Sequence, residues 1–158
     1  MITQVWKLLY IGSLKDAERL TADNPARITT VVWLCPEELL PNAEGITYVK
    51  IPIADAQPIP PAQFEEIMKA LTDELSRVTV LLVCAAGMSR SPIMAAAWMH
   101  HSGILDLEAA MQHIAILRPT IDPSPILLRS VRENLSRCRW GGHHDRASSS
   151  ECLTDSEC

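Results

Sequence analysis

No two cysteines in this 158-residue chain stand close enough for a zinc knuckle or a thioredoxin-like redox pair. The five lie at irregular gaps, as Cys35, Cys84, Cys138, Cys152 and Cys158. The opening Met1-Ile2-Thr3-Gln4-Val5-Trp6-Lys7 lacks a basic segment followed by a long apolar one, so no signal peptide is read from it. No uncharged apolar run is long enough to span a bilayer. Free thiols in a reducing cytosol are the expectation, and the localisation read from the sequence is cytoplasmic. A strong charge of one sign is also missing. The formal net charge is −5, and the stretch from Gly141 onward carries Asp145, Glu151, Asp155 and Glu157 against Arg146, a net −3, which leaves −2 for the body. So balanced a body points to neither nucleic acid nor an anionic membrane as a partner. There is no internal repeat.

What is present suits one α/β domain. A chain of this length buries roughly 70% of its unfolded surface and needs neither metal nor disulfide to hold a core, and a hydrophobic fraction of 47% supplies the material. Four apolar runs read as strands: Leu8 to Ile11, Thr30 to Leu34, Thr47 to Ile53 and Val78 to Val83. The second and fourth are Val-rich and apolar almost throughout, as parallel strands buried on both faces are. Helical spacing follows Pro60-Pro61 in Phe64, Ile67, Met68, Leu71 and Leu75. A second helix runs from Ser91 to His101 and stops at Gly103, in the place of a left-handed cap. Asp106 caps a third helix, and a fourth follows the breaks at Pro119 and Pro123, with Leu127, Val131, Leu135 and Cys138 along one side. Alternating strands and helices predict a central, mainly parallel sheet flanked by helices. Past Trp140 apolar residues nearly vanish. Residues 1–140 are therefore expected to form the domain, and 141–158 a disordered, acidic, Ser-rich tail, in which His143-His144 is a solvated pair rather than a metal site.

The chemistry concentrates between the last predicted strand and the helix after it, in Cys84-Ala85-Ala86-Gly87-Met88-Ser89-Arg90-Ser91. Successive backbone N–H groups in a short strand-to-helix turn can face inward and form an anion nest, to which the helix adds the positive end of its dipole. Gly87 permits backbone that a side chain opposes, and Arg90 offers a planar fork for two phosphate oxygens. The same field favours a thiolate at Cys84, a nucleophile beneath the bound phosphorus. Ala85, Ala86, Gly87, Met88, Ser89 and Arg90 are the predicted phosphate-binding residues. Asp55 lies 29 residues upstream, past a strand end on the same rim of the sheet, where it can serve as acid and then as base. The Ser91 hydroxyl can hydrogen-bond the cysteine sulfur. Cys35, at the end of the neighbouring strand, is a candidate to trap an oxidised Cys84 as a disulfide, although burial as ordinary core is the simpler account of it.

These residues carry a resemblance. Leu9-Tyr10-Ile11-Gly12-Ser13 with Asp16-Ala17, Ile28 to Val32, Ile51 to Asp55, the Cys84 loop with Pro92, and Arg118-Pro119 together resemble the small dual-specificity protein phosphatases, over Leu9 to about Leu135. The resemblance implies metal-free and cofactor-free hydrolysis of phosphotyrosine, phosphoserine or phosphothreonine in a protein substrate. Cys84 would be nucleophile, Arg90 phosphate clamp and Asp55 general acid. Two positions depart from the family pattern: Val83 stands where the family usually has a histidine that orders the loop, and Ser124 where it commonly has an asparagine. The second change is expected to loosen the support of the loop by the last helix. A pseudophosphatase that binds without hydrolysing, and the same chemistry on a non-protein ester, are the competing readings. The neutral residues Ala85, Ala86, Met88 and Ser89 favour a singly phosphorylated protein over a highly charged ester.

Overall fold

The computed structural model describes residues 1–36 and 42–141. Five strands, β1 (Thr3–Trp6), β2 (Leu9–Ser13), β3 (Thr30–Trp33), β4 (Thr47–Lys50) and β5 (Val80–Cys84), form one sheet in the order β1-β2-β5-β3-β4. Only β1 runs antiparallel to its neighbour; β2, β5, β3 and β4 are mutually parallel. The central strand β5 is buried along its whole length and so is β3, which accounts for their uninterrupted apolar sequences.

The helices are α1 (Leu14–Arg19), α2 (Pro61–Leu75), α3 (Arg90–His101), α4 (Leu107–Leu117) and α5 (Pro125–Gly141). Helix α3 packs on β2 and β5 and touches α2, α4 and α5 as well. It is buried from Arg90 to Met99, and the small side chains of Ala95, Ala96 and Ala97 allow so many neighbours to approach it. It ends as expected, with Gly103 at φ +71° and Ile104 N–H donating back to the Met99 carbonyl at 2.9 Å. Asp106 caps α4 by accepting from Ala109 N–H at 2.8 Å, and Pro61 opens α2.

Three details differ from the sequence reading. The edge strand β1 and the short helix α1 were not expected; a four-residue, partly exposed strand carries too little alternation to declare itself. Strand β4 stops at Lys50 rather than Ile53. Ile51 and Ile53 still donate to the Trp33 and Leu34 carbonyls at 3.0 and 3.1 Å, but Pro52 between them has no N–H and ends the regular ladder. Helix α5 continues through Gly141, one residue past the expected boundary, and the proposed tail beyond it lies outside the described residues. Among the described residues no helix is long and apolar enough to cross a membrane.

Candidate active site

The cysteine loop emerges from the C-terminal end of β5 and enters α3. Cys84 is the last residue of the strand and is 2% exposed. Its Sγ accepts a hydrogen bond of 2.9 Å from the hydroxyl of Ser91, which is fully buried in the first turn of α3.

The loop's carbonyls are drawn outward by four separate donors. Ala85 C=O accepts from Leu14 N–H at 3.2 Å, Gly87 C=O from Arg118 Nε at 3.0 Å, Met88 C=O from Asp122 N–H at 2.8 Å and Ser89 C=O from Ile93 N–H at 3.1 Å. Because a peptide unit points its N–H opposite to its C=O, amides behind outward-held carbonyls turn toward the middle of the loop, and that is how an anion nest is made. Gly87 has φ +67°, and a Cβ there would lie 2.8 Å from the Gly12 carbonyl carbon and 2.8 Å from Arg118 Nη2. The cradle therefore presses backbone to backbone against β2, which only glycine allows. Ala85, Ala86 and Met88 are exposed, so the mouth of the loop opens to solvent.

Arg90 is 6% exposed, and its Nη1 donates to the Ile53 carbonyl at 3.1 Å. Among the described residues it has no carboxylate partner. A buried cation without a counter-ion is costly unless an anion comes to it. Asp55 stands in the exposed loop after β4, where its Oδ1 accepts from Ala56 N–H at 3.0 Å and Ala56 takes φ +52°. It makes no hydrogen bond to Cys84 or Arg90. What joins its loop to the cradle is the bond from Arg90 to Ile53, two residues before it.

Several supporting residues escaped the sequence reading. Asp16 is 4% exposed and binds the turn between β2 and α1: its Oδ2 accepts from Ser13 N–H at 2.9 Å and from the Ser13 hydroxyl at 3.0 Å, while Oδ1 meets the Met1 ammonium at 2.6 Å. Burial alone would raise this carboxyl; the hydrogen bonds from the ammonium and from Ser13, with the ammonium's charge, outweigh it and hold the group below its ordinary value. The Ser-x-x-Asp spacing was the available signal, since it is a capping box. Arg118, noted only as part of a resemblance, holds the Gly87 carbonyl and also donates to the Thr3 hydroxyl at 2.9 Å. A cavity of about 560 Å3 is lined by His100, His101, Ile104, Leu105, Asp106 and Cys138 among others, and none of the loop residues lines it.

The catalytic-domain pattern of the dual specificity phosphatases matches residues 9–136. The chain belongs to that family. Among its relatives, human dual specificity protein phosphatase 15 is 27% identical over 161 residues, covering 95% of this chain and 53% of that protein. Rat dual specificity protein phosphatase 18 is 30% identical over 130 residues, covering 78% of this chain and 61% of that protein. The chain thus spans between half and two thirds of the length of these curated relatives. The crystal structure of DUSP15 superposes with a TM-score of 0.71 at 26% identity, covering 91% of this chain and 90% of that one. That of human DUSP28 superposes with a TM-score of 0.78 at 22% identity, covering 89% and 99%, which speaks for the fold.

At the two positions where the chain leaves the family pattern, the geometry is informative. Val83 is fully buried and pairs with Gly12 on one side and Trp33 on the other, so it serves the sheet. Ser124 does not leave the loop loose in the way its side chain led us to expect. Its main-chain N–H donates to Ser89 Oγ at 3.1 Å, beside the bond from Asp122 N–H to Met88, so backbone rather than a side-chain amide ties this segment to the cradle.

Two outcomes follow from these contacts. Gly87→Ala should weaken the binding of inorganic phosphate about tenfold or more, measured by calorimetry, because the left-handed φ alone costs a side chain about 1–2 kcal/mol before the clash with Gly12 is counted. Asp16 contributes stability that is present above the ordinary carboxylate pKa of about 3.9 and is lost as pH falls through that value toward its lower folded one. Melting curves across pH 3 to 7 should show Asp16→Asn less stable than the parent at neutral pH, with the gap closing on acidification; a constant gap would remove the ionised carboxylate as its cause.

Proposed function

We propose that this chain is a phosphoprotein phosphatase that hydrolyses phosphate monoesters of tyrosine and of serine or threonine through a phosphocysteine intermediate. The observation that carries the reading is Arg90, a buried guanidinium with no carboxylate partner among the described residues, at the end of a loop whose Ala85, Gly87, Met88 and Ser89 carbonyls are bonded away from its centre. A phosphate dianion supplies what that site lacks. In the first step the Cys84 thiolate attacks phosphorus, the S–P bond forms as the P–O bond to the substrate oxygen breaks, and Asp55 gives its proton to that leaving oxygen. In the second, Asp55 takes a proton from water, the water oxygen attacks phosphorus and the sulfur departs. The Ser91 hydroxyl, 2.9 Å from Sγ, donates to the sulfur as negative charge returns to it. Arg90 and the inward amides hold the equatorial oxygens throughout and favour the transition state in which their charge is greatest.

Family membership and the joint presence of Cys84, Arg90 and Asp55 support turnover over binding alone. The neutral side chains of Ala85, Ala86, Met88 and Ser89 support a single phosphate on a protein as the substrate. The free thiols of Cys84 and Cys138 suit a reducing compartment such as the cytosol.

Cys84→Ser should abolish turnover of p-nitrophenyl phosphate in EDTA yet still bind phosphopeptides, since the nest and Arg90 remain; steady hydrolysis by that variant would refute the covalent route. Asp55→Asn should slow phosphoserine and phosphothreonine peptides by about 10² to 10⁴ and aryl phosphates with good leaving groups far less, because only poor leaving groups need the proton. Equal losses for both classes in steady-state assays would assign Asp55 a structural role instead.

A further inference from the structure

Helix α5 holds the loop that carries Asp55 by both peptide groups of one residue. Ile59 N–H donates to the Ser130 hydroxyl oxygen at 2.7 Å, and the Ile59 carbonyl accepts from Asn134 Nδ2 at 3.1 Å. Asn134 Nδ2 also donates to the Ser130 main-chain carbonyl at 3.0 Å, one turn back on the helix, which braces the Asn134 amide. Ser130 and Asn134 are each 4% exposed, and Ile59 is 4% exposed between Pro58 and Pro60. Two polar side chains buried this deeply on an otherwise apolar helix face are there for the partner they satisfy.

The segment from Ile53 to Ile59 has no regular structure, and it is staked at its two ends. At one end Arg90 Nη1 holds the Ile53 carbonyl; at the other Ser130 and Asn134 hold Ile59. Asp55 lies between the stakes, exposed, and among the described residues its side chain is hydrogen-bonded by its neighbour Ala56 alone. Its contacts do not aim it at the cradle. The stakes do. Helix α5 is also tied to the cradle at its start, where Ser124 N–H meets Ser89 Oγ, so a single helix sets the acid loop against the phosphate site.

We infer that Ser130 and Asn134 are positioning residues that aim the carboxyl of Asp55 at the leaving oxygen. This rests on the reading of Asp55 as general acid. Proton transfer needs the carboxyl within about 2.6–3.2 Å of its target, and a misplacement of about 1 Å can cost about 10² in rate. Loss of either clip releases a buried Ile59 peptide group and lets that end of the loop drift, while Cys84, Arg90 and the nest are untouched. A residue that merely stabilised the fold would affect every substrate alike.

The test compares kcat on phenyl phosphate, a poor leaving group, with kcat on p-nitrophenyl phosphate, a good one, in the full chain carrying Ser130→Ala, Asn134→Leu, Ser130→Thr or Asp55→Asn. In Ser130→Ala and Asn134→Leu the loss on phenyl phosphate should exceed the loss on p-nitrophenyl phosphate by about tenfold or more, with KM unchanged. Ser130→Thr, which keeps the hydroxyl, should behave as the parent. Because the clip acts through Asp55, adding Ser130→Ala to Asp55→Asn should cost little beyond Asp55→Asn alone. Should Ser130→Ala not fold, Asn134→Leu read by the same comparison and the same double substitution decides. Equal losses on both substrates, or additive losses in the double variant, while Asp55→Asn alone is selective, would overturn the clip and leave Asp55 standing. If Asp55→Asn is itself unselective, the acid assignment falls and the clip with it.

Discussion

A guanidinium withdrawn from water, with no carboxylate to meet it among the described residues, is the constraint around which this molecule is arranged. Arg90 sits at the first turn of α3, 6% exposed, and one of its amino groups is spent on the Ile53 carbonyl. The positive end of α3, which begins at Arg90, adds to the field of the loop amides. Every neighbouring feature keeps that concentration of positive potential in place without neutralising it. The nearest buried acid described above, Asp16, is fully engaged with Ser13 and the Met1 ammonium. Asp55 is turned to its own backbone. The field is left for a ligand.

Holding such a site requires unusual support for an irregular loop, and the support comes from three places in the chain. The turn between β2 and α1 gives the Leu14 amide and the bare backbone of Gly12; the segment after α4 gives Arg118 and the Asp122 amide; the start of α5 gives the Ser124 amide. Each donor takes a carbonyl or hydroxyl at the back of the cradle. Cys84 and Ser91 complete the floor, and both belong to elements buried in the core, so the sulfur is placed by the sheet rather than by the loop.

This division explains what was legible in the sequence. Strand β5, its cysteine and the helix from Arg90 were readable because a buried strand is written as a continuous apolar run and a phosphate loop must contain glycine, arginine and a nucleophile at close spacing. Asp55 was singled out by its place after a strand end, and the contact between its loop and the cradle runs through Arg90 and Ile53. The β2–α1 turn was legible only as a Ser-x-x-Asp spacing, and α1, at six residues, had no room for periodicity. Ser130 and Asn134 were invisible for a different reason. On a helix with Arg129, Arg132 and Glu133 as neighbours, a serine and an asparagine look solvated, and only the position of Ile59, more than seventy residues earlier, shows that they are not. Ser124 was read by its side chain, whereas its main-chain N–H makes the tie to Ser89 Oγ, a donor that composition never reports.

The close seating of Gly87 on Gly12 bears on how a ligand is received. Two backbones in contact, with no side chain between them, cannot part by a rotamer change; they separate only if β2 and the loop come apart as bodies. The loop is thereby ordered when the domain folds, before any anion arrives, and the entropy of arranging its amides is settled with that of the sheet. Under the proposed phosphatase reading, a ligand entering through the open mouth at Ala85, Ala86 and Met88 meets a finished mould, and discrimination among substrates falls to the rim and to the loop bearing Asp55, the parts whose arrangement is not locked by the core.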